Sequence, residues 1–387
     1  MKLIRFFYPI AIILFAWSVC VTMYNLILEE TTTLFGYAIE YYMLPLFMIN
    51  CTVIVLSINQ LGRTRGLNTL VKFWLFFVIS LYLLSFHFKF RELIEISLWG
   101  TSYLASYCIV KQKPDYFLKY KCFFLIAFVL GLYYFVTGKV LQIGLNSIGL
   151  QQSSNAVFCL LTVFPFLLLF RSKPILYSLL LVTVIAVIFS NKRSALLILA
   201  FALLPTLWAS LSNIRSKTKR SFLIIALALA LGAVFYYVST VYLEGRIFSR
   251  FENISEDQGS GRMEIWTYVL NNLFNSTPVE WLMGHGHKAV NELGDSSASH
   301  NDFLEVVFDY GLIVFVVYIL IHIHIIKRTI YLYKTKNSLF GSYFFAFVVF
   351  FVMSWISILV VQPRYLIYFG IYWGGVEALI DRRIDYK

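Results

Sequence analysis

One imidazole and two guanidinium groups in this sequence have the surroundings that group-transfer chemistry needs. His300 lies in SASHNDFLEVVFDYGLIV, where a polar stretch runs directly into an apolar one. An imidazole titrates near neutral pH and can therefore take a proton from a hydroxyl group. Ser299 and Asp302 fit the S-x-x-D cap signature, which predicts a helix with His300 at its first position. Asp302, Glu305 or Asp309 could orient the ring; the alternative is a histidine that makes only structural hydrogen bonds.

Arg193 and Arg262 occupy positions where a cation needs an explanation. Arg193 lies in SNKRSALL, between two apolar stretches, and Arg262 follows Gly-Ser-Gly at the start of a predicted amphipathic helix. A positive charge there opposes the helix dipole, whose N-terminal end favours anions. The position makes sense if the arginine and the backbone N–H groups hold a phosphate together. The alternative is that both side chains extend to lipid headgroups.

Neither a metal ion nor another cofactor is predicted. His285 and His287 in MGHGHKA have no acidic or thiolate partner nearby, so the glycines of this segment predict turns rather than a metal site. The five cysteines show no disulfide framework and no zinc spacing, and the sequence contains no Asp-x-Asp, Walker, GxGxxG or HExxH motif. Any transfer chemistry is therefore expected to proceed without a metal.

These residues belong to a chain made largely of apolar stretches. It is 60% hydrophobic and 13% charged, whereas soluble domains contain about 25% charged residues. We therefore expect an all-α, polytopic membrane protein. Its net charge of +12 is attributed to membrane orientation, and no nucleic-acid partner is predicted. About twelve stretches are long and apolar enough to cross a bilayer, at roughly 6–28, 41–59, 71–88, 93–110, 122–138, 155–170, 174–190, 194–211, 221–243, 303–326, 339–361 and 364–380.

The distribution of charge predicts the orientation of these spans. With Met1 inside, most of the 32 lysines and arginines fall on the cytoplasmic side and most of the 20 acidic residues fall outside, as the positive-inside rule requires. Both termini are then cytoplasmic. Residues 1–243 hold nine spans, 244–302 form one large external loop, and 303–387 hold three more spans. Within the loop, Ile265, Trp266, Val269, Leu270 and Leu273 predict a short amphipathic helix on the membrane face.

Three external segments carry a resemblance to a known family. SNKRSALLILA fits a span-end pattern S/T-x-R-[small]-x-L-L. GSGRMEIWTYVLNNLFNSTPVEWLMGHG fits a G-x-R-x-x-x-[WY] helix followed by P…G-x-G. SHNDFLEVVFDYGLIVFVVYIL fits H-N-x-[FIL]-L-x-x-x-x-x-x-G running into a transmembrane helix. In this order and on one side of the membrane, they resemble the bacterial O-antigen polymerase and ligase superfamily over about residues 180–325.

The resemblance implies a metal-independent glycan transferase of the GT-C-like class, whose donor is an undecaprenyl-diphosphate-linked oligosaccharide. By position, Arg193 and Arg262 would bind the donor diphosphate, and His300 would activate the acceptor hydroxyl. Because SNKR departs from the commoner serine- or threonine-arginine pair, Lys192 could share the role of Arg193. Further substrate-binding candidates are Arg364 in QPRYL, the weaker Arg246 and Arg250, and Asn301 and Asp302.

Two functions fit this resemblance, and a third belongs to another class. A surface-polysaccharide polymerase would extend a chain on a lipid-linked repeat unit, whereas an O-antigen ligase would transfer it to lipid A-core. The short loops 29–40 and 139–154 favour the polymerase. A transporter or flippase would need mid-span charges and paired broken helices, and Glu377 is the main mid-span charge. The expected location is the bacterial inner membrane, with the active site facing the periplasm and a chain-length regulator and a flippase as partners.

Overall fold

The computed structural model describes most of the chain, and every structural statement below concerns that part. The described residues are 33–34, 37–38, 43–61, 69–84, 90–145, 156–170, 173–210, 216–237, 240, 261–293, 298–357, 359–360 and 363–382. The first predicted span, at 6–28, and the candidates Arg246 and Arg250 lie outside them.

The described elements are helical apart from two short antiparallel strands, which confirms the predicted all-α class. The strands are β1 (Thr33–Leu34) and β2 (Tyr37–Ala38). The helices are α1 (Met43–Leu61), α2 (Thr69–Leu84), α3 (Phe90–Gln112), α4 (Asp115–Leu145), α5 (Ala156–Leu167), α6 (Lys173–Phe189), α7 (Arg193–Ser210), α8 (Lys217–Tyr237), α9 (Arg262–Phe274), α10 (Pro278–Met283), α11 (Asp302–Lys334), α12 (Phe340–Ile356) and α13 (Pro363–Asp381), with a 3-10 turn at Ala289–Glu292.

Several of these helices have the composition of membrane spans. Among the described residues, Asp115–Thr137 and Asp302–Lys334 are long and apolar enough to cross a bilayer. Shorter apolar helices occupy Leu44–Ser57, Ala156–Leu167, Pro174–Phe189, Arg193–Leu203 and Phe340–Ile356. Large apolar side chains are exposed along such helices, as Phe201 is on α7 and Val129 on α4, which suits contact with lipid rather than water. The number of twelve spans stays a prediction.

Helix α11 is two helical segments joined at Gly311. This glycine has φ 78° and ψ 177°, which no helical residue adopts. The carbonyl groups of Phe308 and Asp309 accept instead from the backbone N–H groups of His285 and Gly286, at 3.0 and 2.9 Å. The continuous apolar helix therefore starts after Gly311. The predicted span at 303–326 lies within Asp302–Lys334, and its boundary at residue 303 stays a prediction.

A contact between two glycines explains why the break lies at Gly311. A Cβ atom on Gly311 would lie 2.3 Å from the carbonyl oxygen of Leu282, and one on Gly284 would lie 2.3 Å from that of Asp309. The two backbones therefore approach more closely than any side chain allows. Gly284 and Gly286 also have positive φ, at 81° and 113°, which confirms the prediction that the glycines of MGHGHKA form turns.

The described residues divide into two compact units. One lies within Met1–Phe123, Gly261–Arg328 and Met353–Asp385, and the other within Phe124–Ser260, Thr329–Val352 and Tyr386–Lys387. In the first unit α13 packs closely on α3, because Gly370 and Gly374 face the backbone of Trp99 and Tyr103. In the second unit α6 and α7 are joined by a short turn with Asn191 at φ 55°.

Candidate functional site

The turn that carries His300 lies before helix α11, not inside it. The side-chain oxygen of Asn301 accepts from the backbone N–H groups of Phe303 and Leu304, at 2.9 and 3.3 Å. Asn301 is therefore the residue that caps the helix. The prediction that Ser299 caps the helix and His300 starts it is wrong, because Ser299 has other partners. His300 has φ 54°, a conformation that L-residues rarely adopt outside specially held sites.

Ser299 and Glu305 fix the backbone on both sides of His300. The backbone N–H of Ser299 donates to Glu305 Oε2 at 3.1 Å, and the Ser299 hydroxyl donates to the same oxygen at very short range. The backbone N–H of Asn301 in turn donates to Ser299 Oγ at 3.1 Å. All three residues are buried, whereas His300 is partly exposed. The imidazole is thus presented from a rigid turn.

Helix α9, which begins at Arg262, is bonded to this turn. The indole Nε1 of Trp266 donates to the carbonyl oxygen of Ser299 at 2.7 Å. Arg262 is the first residue of α9 and precedes Trp266 by four residues, so the two share one helix face about 6 Å apart along the axis. The residue before His300 is therefore bonded to the second turn of the helix that Arg262 begins.

The amphipathic helix predicted in the external loop is confirmed as α9, but its apolar face packs on protein. Val269 and Leu273 are buried in a small core with Val290, Val307 and Phe308. Leu270 on the same helix is exposed, and the expectation that α9 lies on the membrane face stays a prediction. Gly261, with φ 78°, precedes α9 and offers no side-chain cap to its first N–H groups.

Asp302 joins the start of α11 to the segment that leads into α13. Its Oδ2 accepts from the Tyr318 hydroxyl at 2.9 Å, and its Oδ1 accepts from the backbone N–H groups of Leu359 and Val360 at 2.6 and 3.2 Å. Its side chain is completely buried. Both oxygens are therefore engaged within the protein, as is the amide oxygen of Asn301, and substrate binding by either residue stays a prediction without support. Arg364 is the second residue of α13.

The two histidines of MGHGHKA have structural partners. His285 Nδ1 bonds to the Phe308 carbonyl at 3.0 Å, and its Nε2 bonds to the Ser276 hydroxyl at 2.9 Å. His287 Nδ1 bonds to the Tyr310 hydroxyl at 2.5 Å. Burial, followed by the nearby charge of Lys288, lowers the pKa of His287 to about 4. No cluster of three His, Cys, Asp or Glu suited to a metal occurs in the part of the chain that the structure describes.

Arg193 resembles Arg262 in its local setting. Each is the first residue of a helix, and each follows a residue in the left-handed region, Asn191 at φ 55° and Gly261 at φ 78°. Lys192 and Arg193 are both partly buried. Arg193 lies in the second compact unit, whereas Arg262 and His300 lie in the first. The convergence of Arg193 with the other two residues therefore stays a prediction.

Sequence reasoning did not identify two contacts of Ser299. One is the bond from Trp266, and the other is the pairing with Glu305. Trp266 had been assigned to the apolar face of its helix, but its position four residues after Arg262 was the available signal. Glu305 had been one of three acids that could orient His300, and the sequence offered nothing to choose among them.

A comparison with known families found a match over the region that holds these residues. No curated protein matches the chain. Residues 178–319 match the family Wzy_C, described as O-antigen ligase. The matched range contains Arg193, α9, α10, the His300 turn and the first part of α11, so it covers all three segments on which the resemblance was based. The match confirms that resemblance for residues 178–319, which are similar to the O-antigen ligase family, and it supports the superfamily of O-antigen polymerases and ligases.

Proposed function

We propose that the protein is a surface-polysaccharide polymerase. It transfers an undecaprenyl-diphosphate-linked glycan chain onto a lipid-linked repeat unit at the outer face of the bacterial inner membrane. The observation that carries the proposal is the bond from Trp266 Nε1 to the Ser299 carbonyl oxygen. It joins the helix that begins with Arg262, a phosphate-binding candidate, to the turn that carries His300, a proton-acceptor candidate, and so supports a role for both in one site. The match to the O-antigen ligase family supports a glycan transfer of this kind.

His300 acts on the acceptor sugar in this reaction. A hydroxyl oxygen of the acceptor forms a bond to the anomeric carbon of the donor chain, and the proton of that hydroxyl passes to the imidazole. The turn fixed by Ser299 and Glu305 makes His300 a suitable base, because efficient proton transfer needs a side chain held within hydrogen-bonding distance of the reacting group.

Arg262 acts on the departing diphosphate. The bond between the anomeric carbon and the phosphate oxygen breaks, and its electron pair leaves with undecaprenyl diphosphate. Negative charge therefore grows on that oxygen as the transition state forms. A guanidinium group and N-terminal N–H groups already in place stabilise this charge more in the transition state than in the bound donor. Arg193, placed likewise at the first residue of α7, is proposed to supply a second guanidinium.

A ligase is the second candidate, because the matched family is described as O-antigen ligase. Its donor and its leaving group are the same, and the acceptor is lipid A-core instead of a lipid-linked repeat unit. The roles proposed for Arg262 and His300 do not change between the two.

Deletion of the gene distinguishes these functions. A strain without the polymerase accumulates single repeat units, transferred to its surface acceptor or held on the lipid carrier. A strain without the ligase keeps full-length chains attached to undecaprenyl diphosphate. We expect single repeat units, and restoration of long chains by the wild-type gene. Long chains trapped on the carrier would assign the protein as a ligase, and unaltered glycans would contradict both functions.

A further inference from the structure

We infer that Glu305 is the positioning residue for His300, acting through the Ser299 turn rather than by contact with substrate. This inference rests on the proposed function, since it assigns a role within the same transfer site. Its evidence is separate, however: it comes from the partners of three buried acidic residues in the first segment of α11.

The three carboxylates have different partners. Asp302 bonds to Tyr318 and to the backbone of Leu359 and Val360. Asp309 accepts from the backbone N–H groups of Lys288 and Val290, both at 3.0 Å, and so holds the loop that packs on the Gly311 break. Glu305 accepts from both donors of Ser299, the residue immediately before His300. Of the three, Glu305 is therefore the one bonded to the His300 turn.

Glu305 and the turn depend on one another. The side chain of Glu305 is completely buried, so its charge has lost the hydration that water would provide. The two donors of Ser299 replace part of that hydration at Oε2. In return, the carboxylate orients the Ser299 hydroxyl, whose oxygen accepts from the backbone N–H of Asn301. The residues on both sides of His300 are thereby fixed, which stabilises its strained positive φ.

The burial of Glu305 excludes direct contact with a lipid-linked sugar unless the turn opens. Its effect on transfer therefore has to pass through the position of His300. Proton transfer depends steeply on distance, and a misplacement of about 1 Å can reduce a rate on the order of 100-fold. Binding of the donor diphosphate is assigned to arginine side chains. The affinity for it should therefore not change when this turn is disturbed.

The test uses purified full-length protein and four variants. The substrate is the lipid-linked repeat unit extracted from the deletion strain, and undecaprenyl diphosphate is the binding probe. Glu305→Ala removes both bonds to Ser299. Glu305→Gln keeps an amide oxygen that can accept them. Ser299→Ala removes the hydroxyl, and with it one donor to Glu305 and the acceptor of the Asn301 backbone N–H, but keeps the backbone donor of Ser299. Asp309→Ala is the matched control, because it removes an equally buried carboxylate, one turn further along the same helix, that binds a different loop.

Glu305→Ala is expected to lower kcat on the order of 100-fold, with the dissociation constant for undecaprenyl diphosphate unchanged within about threefold. Glu305→Gln should recover most of kcat, Ser299→Ala should lose about tenfold, and Asp309→Ala should keep most of its activity.

Three outcomes would overturn the role of Glu305: full activity in Glu305→Ala, a Gln variant as impaired as the Ala variant, or an equal loss in Asp309→Ala. If Glu305→Ala does not fold, Ser299→Ala and Glu305→Gln decide the question. Absence of transfer by the wild-type protein would instead contradict the proposed function and would be recognised in the same experiment.

Discussion

At the scale of single residues, the candidate site is built from backbone conformations that its neighbours must hold in place. His300 and Asn191 both have positive φ without being glycine. His300 is itself the proposed base, and Asn191 lies two residues before Arg193. Such conformations cost about 1–3 kcal/mol each and persist where surrounding bonds compensate. For His300 the compensating bonds are visible, from Ser299 to Glu305 and from Trp266 to Ser299.

Replacement of Arg262 tests the phosphate role. Arg262→Ala should reduce transfer by at least about 100-fold, because stabilisation of the leaving charge is lost in the transition state. Arg262→Lys should recover only part of the rate, since an ammonium group cannot form the paired bonds of a guanidinium. Polymer length on silver-stained gels measures the effect, and an immunoblot of the membrane fraction confirms expression.

Thr267→Ala is the control for this experiment. Thr267 is exposed on the same helix and its hydroxyl bonds to the helix's own carbonyl at Met263. It should leave polymer length unchanged. Normal polymer from Arg262→Ala would remove this residue from the site.

Replacement of His300 separates proton transfer from donor binding. His300→Ala should slow transfer by about 100- to 10,000-fold, the range typical of a lost general base. Undecaprenyl diphosphate should still bind with unchanged affinity, as measured by a titration of the purified protein. A variant that transfers normally, or one that no longer binds the lipid, would show that His300 is not the base.

His287 predicts acid sensitivity of the external loop. An unfolded chain has the ordinary histidine pKa of 6.5, whereas burial lowers the pKa of folded His287 to about 4. Between these values the unfolded state binds more protons than the folded state. The contribution of His287 to the free energy of unfolding is therefore fully present above pH 6.5 and is lost as the pH decreases toward 4. The full loss from this group is about 3 kcal/mol. Melting temperatures of the purified protein between pH 7 and 4 measure it.

The variant His287→Asn should melt with a weaker dependence on pH in this range. An identical dependence in the wild type and the variant would assign the acid sensitivity to other groups, such as Glu95, whose carboxylate lies 3.0 Å from Lys288 and 4.0 Å from His287.

At the scale of elements, the site depends on the break in α11. The first segment of that helix packs against α9 and provides Glu305, while the loop at His285 and Gly286 satisfies the carbonyl groups that the break leaves. The elements themselves could be predicted from periodicity and turn residues. The break could not, because helical periodicity continues through Gly311 and hydropathy does not respond to one backbone angle.

Alanine substitutions at three glycines test this arrangement. Gly311→Ala and Gly284→Ala should each destabilise the protein by about 3 kcal/mol or more, since a Cβ atom would both strain the backbone and collide with a neighbouring chain segment. Gly286→Ala also strains the backbone but has nothing within 4 Å of its Cβ position, so it should destabilise the protein less. Melting temperatures in detergent give the order, and equal effects at all three positions would contradict the close approach.

The side-chain bonds of the site were beyond sequence reasoning for a related physical reason. Local spacing identified Arg262 and His300 and predicted that a cap would lie near residue 300. It could not choose Asn301 over Ser299, because both side chains can accept from the first N–H groups of a helix. The choice depends on Glu305 and Trp266, which engage Ser299 only after α9 and α11 have packed together.

At the scale of the whole molecule, the proposed function requires the His300 turn to lie on the periplasmic side of the inner membrane. Charge distribution predicts this side, and α11 then crosses toward the cytoplasm, where Lys327, Arg328 and Lys334 follow its apolar part. Arg328 donates to Glu377 through two bonds of 2.8 and 2.7 Å, so the main predicted mid-span charge is paired.

Reporter fusions test this orientation. Alkaline phosphatase, which is active only outside the cytoplasm, should be active when fused after Asn275 and inactive when fused after Lys336. A fluorescent protein that folds only in the cytoplasm should be fluorescent when it is fused at the C-terminus. Activity after Lys336 but not after Asn275 would reverse the topology and remove the site from the side where lipid-linked chains are assembled.

The most direct test of the central claim is transfer by the purified protein alone. Wild-type protein in lipid vesicles receives lipid-linked repeat units extracted from the deletion strain, in buffer containing EDTA. We predict chains of several repeats from the wild type, at the same rate with and without the chelator, and none from Arg262→Ala or His300→Ala. Two results would contradict the claim that Arg262 and His300 form one glycan-transfer site. In one, the wild-type protein makes no chain longer than the supplied repeat unit; in the other, the variants extend chains as fast as the wild type.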